Sequence, residues 1–196
     1  MLGAHLNFSA YGFWLPNDPR GSCSGRLWAK DLRPFGPVRH VTTRESVAAS
    51  PHDRALRLAA KRHLKYPPVR FTKTQVDAIA EGFSQTAVQL PLTVFACAIL
   101  PEHVHLVTAA HARDPDVLIG FLKRAGTREL TSRGLHSLAG FRDARGRVAS
   151  PWAEEGWAVF LDTVEQMREA IEYVERNPEK EGLPPQQWSF VVPFIE

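Results

Sequence analysis

The sequence predicts an α+β fold in one domain, with the order strand, helix, strand, strand, helix, strand and one more helix appended near the C-terminal end. Three observations predict it. Leu92–Leu100 is an almost unbroken apolar run of strand length, and Pro101-Glu102 interrupts it as a turn would. His103–Thr108 then resumes with β-branched residues in period-two alternation. Long stretches with helical spacing flank this pair of strands on both sides, and beyond each lies another apolar stretch of strand character.

Taken in order, Leu2–Leu15 is aromatic and weakly alternating and forms the first strand. Pro16-Asn17-Asp18-Pro19-Arg20-Gly21 is a dense turn signal. Residues 22–52 carry Gly and Pro throughout and make an irregular excursion, part of a basic insertion over about 16–70. An excursion of that length inside a compact domain is either functional or mobile. Asp53–Leu64 is a basic helix, with Leu56, Ala59, Ala60 and His63 on one side and Arg57, Lys61 and Arg62 around the rest. Tyr66-Pro67-Pro68 ends it. Thr74–Leu90 is a second helix, with Val76, Ile79, Ala80, Phe83, Ala87 and Leu90 at helical spacing and Pro91 closing it.

The two strands around Pro101 follow. Successive strand side chains point to opposite faces, so His103 and His105 share one face while Val104 and Leu106 share the other. Asp114–Thr131 is a third helix, with Val117, Leu118, Phe121, Leu122 and Ala125 as its expected buried stripe. Gly134–Ser150 reads as a loop and Gly156–Leu161 as a short strand. Asp162 or Thr163 caps a last helix that runs to about Asn177, where Pro178 stops it. Val164, Met167, Ile171 and Val174 cluster in its core arc, and Glu165, Glu169 and Glu172 point toward water. Tyr173 and Asn177 stack on the flank of that arc beside Ala170, with Gln166 in line. The tail Gly182–Glu196 is extended and packs through Trp188 and Phe190.

Composition narrows the function. A chain of 196 residues can bury a real core. No apolar run reaches the roughly 18 residues a membrane span needs, and the first residues lack a signal-peptide pattern. Cys23 and Cys97 do not make a disulfide framework, so a reducing cytoplasmic location is expected. The formal net charge of +3 hides segregation. Residues 26–73 hold 12 Lys/Arg against 3 Asp/Glu, and residues 150–196 hold 3 against 10. A basic surface for a polyanion follows. Trp28, Phe35, His40, His52, His63 and Tyr66 are interleaved with these charges, which suits stacking on unpaired bases or, equally, a core role. Lys123, Arg124, Thr127 and Arg128 add phosphate-binding side chains on the third helix. No G-x-x-x-x-G-K-[ST] phosphate loop is present.

These residues also carry a resemblance. Pro-Glu-His103-Val-His105-Leu-Val resembles the His-hydrophobic-His motif of HUH single-strand nucleases. The segment AIEYVERNP, Ala170–Pro178, resembles the tyrosine helix of the IS200/IS605-type transposase family, including its REP-associated tyrosine branch. YGFWLPNDPRGS near the N-terminus and GWAVFLD resemble the same family. The resemblance implies a ferredoxin-like βαββαβ sheet with an appended helix carrying the tyrosine. It implies a divalent metal cofactor, Mg²⁺ or Mn²⁺, held by His103, His105 and Asn177, with Gln166 a weaker third ligand. It implies Tyr173 as nucleophile in a metal-dependent single-stranded DNA endonuclease and strand transferase, acting through a 5′-phosphotyrosine on single-stranded or hairpin DNA. A homodimer or a monomer both remain open, as does whether Tyr173 acts at its own ion site or a partner's. Glu102 departs from the Asp or Asn common at that turn position.

Two other functions compete. One is a sequence-specific DNA-binding protein that keeps the fold without transposing. The other is a metal-dependent phosphoesterase in which water is the nucleophile and Tyr173 is structural.

Overall fold

The computed structural model describes residues 1–13, 15, 30–36 and 53–195. Cys23, Trp28, His40 and His52, and with them most of the expected basic excursion, lie outside the described residues. The strands are β1 (Gly3–Ala10), β2 (Val94–Ile99), β3 (His103–Ala109) and β4 (Trp152–Leu161). The α-helices are α1 (Arg54–Arg62), α2 (Lys73–Gln89), α3 (Pro115–Ser132), α4 (Val164–Glu175) and the short α5 (Asn177–Lys180).

The strands form one sheet in the order β2-β3-β1-β4, every neighbouring pair antiparallel. β3 and β1 are therefore central, and the histidine-bearing strand lies inside the sheet. α2 links β1 to β2, and α3 links β3 to β4. Alternate residues then divide the molecule into layers. Leu6 and Phe8 of β1 and Val104 and Leu106 of β3 pack with Ile79 and Phe83 of α2 and Leu118 and Leu122 of α3. Each of these side chains, removed from water, contributes on the order of 1.5–3 kcal/mol. On the other face, Ala96, Ala98 and Val107 pack with Met167, Ala170 and Val174 of α4.

Helix starts follow from local chemistry. Asp53 accepts from the Leu56 N–H at 2.9 Å and caps α1. Thr72 and Gln75 make a reciprocal capping box at α2. Thr163 caps α4. Gly82 lets α2 and α3 approach closely, since a Cβ there would lie 2.7 Å from the Ala125 carbonyl carbon.

The structure differs from the sequence reading in four places. β1 ends at Ala10 rather than running to Leu15, and Gly12, at a φ of +80°, turns the chain just beyond it. The buried stripe of α3 is Leu118, Ile119, Leu122, Ala125, Gly126 and Leu130, so Val117 is exposed and Phe121 only half-buried. Arg113 and Arg124 place their guanidinium carbons 5.5 and 4.6 Å from the Phe121 ring centre, which gives that ring a use at the surface. β4 begins at Trp152 rather than Gly156, because Ala10 pairs with Trp152 across a register shift in β1. Finally, α4 ends at Glu175, and Asn177 opens α5 with Pro178 in its first turn, where proline is tolerated. The tail behaves as expected: the Trp188 indole donates to the Cys97 carbonyl at 3.1 Å, and Val191 bridges to Val94 at the edge of β2.

Candidate active site

The site lies on the α4 face of the two central strands. Register sets Asn7 opposite His105 and Ser9 opposite His103. The period of two places His5 on the same face as Asn7 and Ser9. His105 is buried, at 4% exposure, and His103 is half-buried. The His103 and His105 rings are 5.0 Å apart and nearly perpendicular, at 87°. Phe13 stacks on His103 at 4.9 Å and 13°. His5 Nε2 lies 3.0 Å from His105 Nδ1.

His5 does not figure among the residues singled out from sequence. Its signal is present all the same: polar positions 5, 7 and 9 alternate with apolar Ala4, Leu6, Phe8 and Ala10. A central strand with one polar face needs something polar across from it.

α4 supplies the rest. Met167, Ala170 and Val174 dock the helix, which brings Tyr173 over the imidazoles at 42% exposure. The Tyr173 ring centre is 5.8 Å from that of His5 and 5.7 Å from that of His105, with its plane inclined at 61° and 86°. All of these residues belong to one chain. The Lys180 ammonium lies 4.3 Å from the centre of the Tyr173 ring, within cation–π range. Asn177 is 6% exposed, and its Nδ2 donates to the Tyr173 carbonyl at 3.0 Å. That bond leaves the Asn177 amide oxygen as an acceptor. Gln166 is used differently. Its side-chain oxygen accepts from the Asp162 N–H at 2.7 Å and its own N–H donates to Thr163 Oγ1 at 3.2 Å, so it belongs to the helix cap.

Burial holds the His105 pKa well below the ordinary histidine range, and His103, His5 and Lys180 push the same way. A neutral imidazole is the state that can give a lone pair to a metal ion. Two imidazoles and an amide oxygen suit a first-row divalent ion with positions left for phosphate oxygens. Among the described residues no three His, Cys, Asp or Glu side chains group so as to hold a metal. In the donor set named from sequence the third member is the Asn177 amide, whose oxygen can accept.

The cations named from sequence fall into separate places. α3 packs against the opposite face of the sheet from the histidines. There the Lys123 ammonium donates to the carbonyls of Ala153, Glu154 and Glu155 at 3.0, 3.3 and 2.9 Å. Those carbonyls lie within the register shift, between the paired residues Trp152 and Gly156, where the ladder is interrupted. Burial lowers the Lys123 pKa to about 8 against the pull of Asp116, Glu155 and Glu154. The phosphate contact expected of Lys123 from sequence thus competes with a structural use of its ammonium. Arg124 covers Phe121, and Arg128 donates to Gln85 at 3.0 Å; both are exposed. α1 is placed differently. Its Ala60 packs with Leu15 and Leu32, and Leu15 is two residues from Phe13, the residue stacked on His103. Two residues span at most about 7 Å. Lys61 and Arg62 are exposed and Arg57 half-buried on that helix.

No helix among the described residues is long and apolar enough to cross a membrane. No family model matches the sequence. No curated protein matches it either. Solved structures that align along most of the chain include two transposases. One is a REP-associated tyrosine transposase bound to a REP hairpin, at 12% identity and a TM-score of 0.46, covering 100% of this chain and 93% of that one. The other is a candidate transposase from Deinococcus radiodurans R1, at 14% identity and a TM-score of 0.38, covering 88% of this chain and 89% of that one.

Proposed function

We propose that the protein is a metal-dependent single-stranded DNA nicking and strand-transfer enzyme of the tyrosine HUH type, built on a ferredoxin-like sheet. One observation carries the reading: the Tyr173 ring lies 5.7 Å from the His105 ring within a single chain. The sequence motifs around His103, His105 and Tyr173–Asn177 support it independently.

His103, His105 and Asn177 would hold the divalent ion, Mg²⁺ or Mn²⁺. When bound, such an ion withdraws charge from a phosphate and offsets charge on the oxygens around it. The chain's own residues do the remainder. Tyr173 stands partly in solvent, where a phosphodiester can reach it, and its backbone carbonyl is tied to the Asn177 side chain. Its phenol oxygen attacks the scissile phosphorus in line. A phosphorus–oxygen bond to the tyrosine forms as the bond to the 3′-oxygen breaks. The departing 3′-oxygen takes up a proton, and the phenol proton passes to solvent. The products are a 5′-phosphotyrosine and a free 3′-OH. Attack of a 3′-OH on that ester reverses the step and rejoins DNA, so no nucleotide energy source is needed. The charge that gathers on the phenol oxygen as its proton leaves needs a partner to carry it. The Lys180 ammonium beside the ring is placed to offset some of it.

The exposed cations of α1 lie on the His103 side of the molecule and form the candidate DNA surface. The intrachain approach of Tyr173 favours a tyrosine acting at its own subunit's site. The test uses a 3′-end-labelled single-stranded hairpin and Mn²⁺, with products run on a denaturing protein gel. A labelled adduct is expected with the wild type and none with Tyr173→Phe. His103→Ala is expected to abolish the adduct while leaving hairpin binding largely intact. Binding without any cleavage would support the DNA-binding alternative. Cleavage that survives Tyr173→Phe would make water the nucleophile and sink the reading.

A further inference from the structure

We infer that His5 is a positioning residue: by accepting the Nδ1–H of His105 it fixes the tautomer in which His105 presents a bare Nε2. The inference rests on the proposed site only in giving that nitrogen a metal ion to serve.

A neutral imidazole has one proton and two nitrogens, and the hydrogen bond at one nitrogen decides the state of the other. His105 Nδ1 and His5 Nε2 are 3.0 Å apart, so one proton lies between them. If it belongs to His105, then His105 Nε2 is bare and can donate an electron pair. If it belongs to His5, then His105 Nε2 carries the remaining proton and cannot. Only the first arrangement is compatible with His105 as a ligand. Metal-bound histidines commonly donate their second ring N–H to a neighbour, which fixes ring orientation and raises ligand basicity. Here the acceptor is another imidazole.

The fold supplies this contact through register. Asn7 faces His105 directly, and His5 is two residues along the same strand face. Diagonal neighbours on one face are about 7–8 Å apart, a gap that two rings can bridge. The His5 and His105 ring centres are 5.2 Å apart. Two nitrogens bound to one ion at about 2.1 Å and a right angle would also be about 3.0 Å apart, so the distance alone fits a shared ion equally well. As a hydrogen bond the pair serves a ligand; as a shared ion it would make His5 itself a ligand, and the two variants below give different results in the two cases. Tyr173 packs against both rings, so the same bond also fixes the surface on which the phenol rests.

The test uses the full chain in three forms: wild type, His5→Gln and His5→Phe. The glutamine oxygen can reach the place of Nε2 and accept the same proton, whereas phenylalanine keeps the ring and loses the acceptor. The first readout is ¹⁵N NMR of histidine-labelled, metal-free protein. The Nδ1–H tautomer of His105 is expected in the wild type and in His5→Gln, and a mixture in His5→Phe. The second is Mn²⁺ affinity by electron paramagnetic resonance. His5→Phe is expected to weaken binding on the order of 10- to 100-fold, with His5→Gln within a few-fold of wild type. A wild-type His105 protonated at Nε2 would overturn the inference, and so would a His5→Phe variant that binds Mn²⁺ as the wild type does. Equal loss in both variants would make His5 a ligand instead. If the wild type shows the Nδ1–H tautomer but binds no Mn²⁺, the metal reading fails while the positioning stands. Should His5→Phe fail to fold, the wild-type tautomer and His5→Gln still decide the question.

Discussion

The two faces of the sheet are written in alternate residues of the same strands, yet they have opposite character. Toward α2 and α3, β1 and β3 present Leu6, Phe8, Val104 and Leu106, all at or near zero exposure. Toward α4 they present His5, Asn7, Ser9, His103 and His105. The first face is packed from two helices and contributes most of the core. The second is covered by one helix, anchored through Met167, Ala170 and Val174. The difference is instructive. Polar groups can be held rigidly near the middle of a sheet when its other face supplies the stability. The site therefore need not contribute much to folding, and its side chains are free to be chosen for chemistry.

Substitutions on each face can break or sharpen that contrast. The largest effect is expected from Phe83→Ala, at the centre of the apolar face with zero exposure. It should cost about 3–5 kcal/mol in urea unfolding. The His105 NMR signals of the folded fraction should stay unchanged; a shift there would show that the faces are coupled.

A smaller effect is expected at Lys123, and it depends on pH. Its folded pKa of about 8 lies below the ordinary 10.5. Below about pH 8 both folded and unfolded chains carry the charge, and the folded state bears the full cost of burying it. Between about 8 and 10.5 the unfolded chain binds more protons, so stability should rise with pH. Above that window the difference is gone. The gain should be at most about 3 kcal/mol. Chemical denaturation across this range should show wild-type stability rising relative to Lys123→Met, over the fall that the buried Cys97 thiol, pushed up by burial, imposes on both. A parallel course in both would remove Lys123 as its source.

The smallest expected effect concerns DNA affinity. Replacing Arg57, Lys61 and Arg62 by glutamine should lower the slope of log affinity for a single-stranded hairpin against log salt by up to about 2. Replacing Arg124 and Arg128, on the opposite layer, should change it little. Equal effects of the two sets would mean that the DNA surface wraps both layers.

Much of this was legible in the chain. The strand-turn-strand around Pro101, the pairing of His103 with His105 on one face and the spacing of Tyr173 to Asn177 all depend on local periods of 2 and 3.6. Lys123 was misleading because a basic residue on a basic helix looks solvated. Its ammonium is instead drawn to three carbonyls that a register shift leaves outside the ladder, and register shifts are not written in local sequence. The α3 stripe came out one position away because adjacent apolar residues, Leu118-Ile119 and Phe121-Leu122, allow either rotation of the helix. Gly82 selects between them by how closely α2 can approach.

The sequence by itself determined which strand residues share a face, where α1 to α4 start, and that two imidazoles and a phenol exist at the right spacings within their own elements. Only the tertiary structure decided that His5 meets His105, that Tyr173 lies over both, and that the α3 cations stand on the far layer. The reason is that side-chain direction within an element follows from backbone geometry a few residues long. Contact between elements depends on strand order and register, which are set by burying the whole core at once.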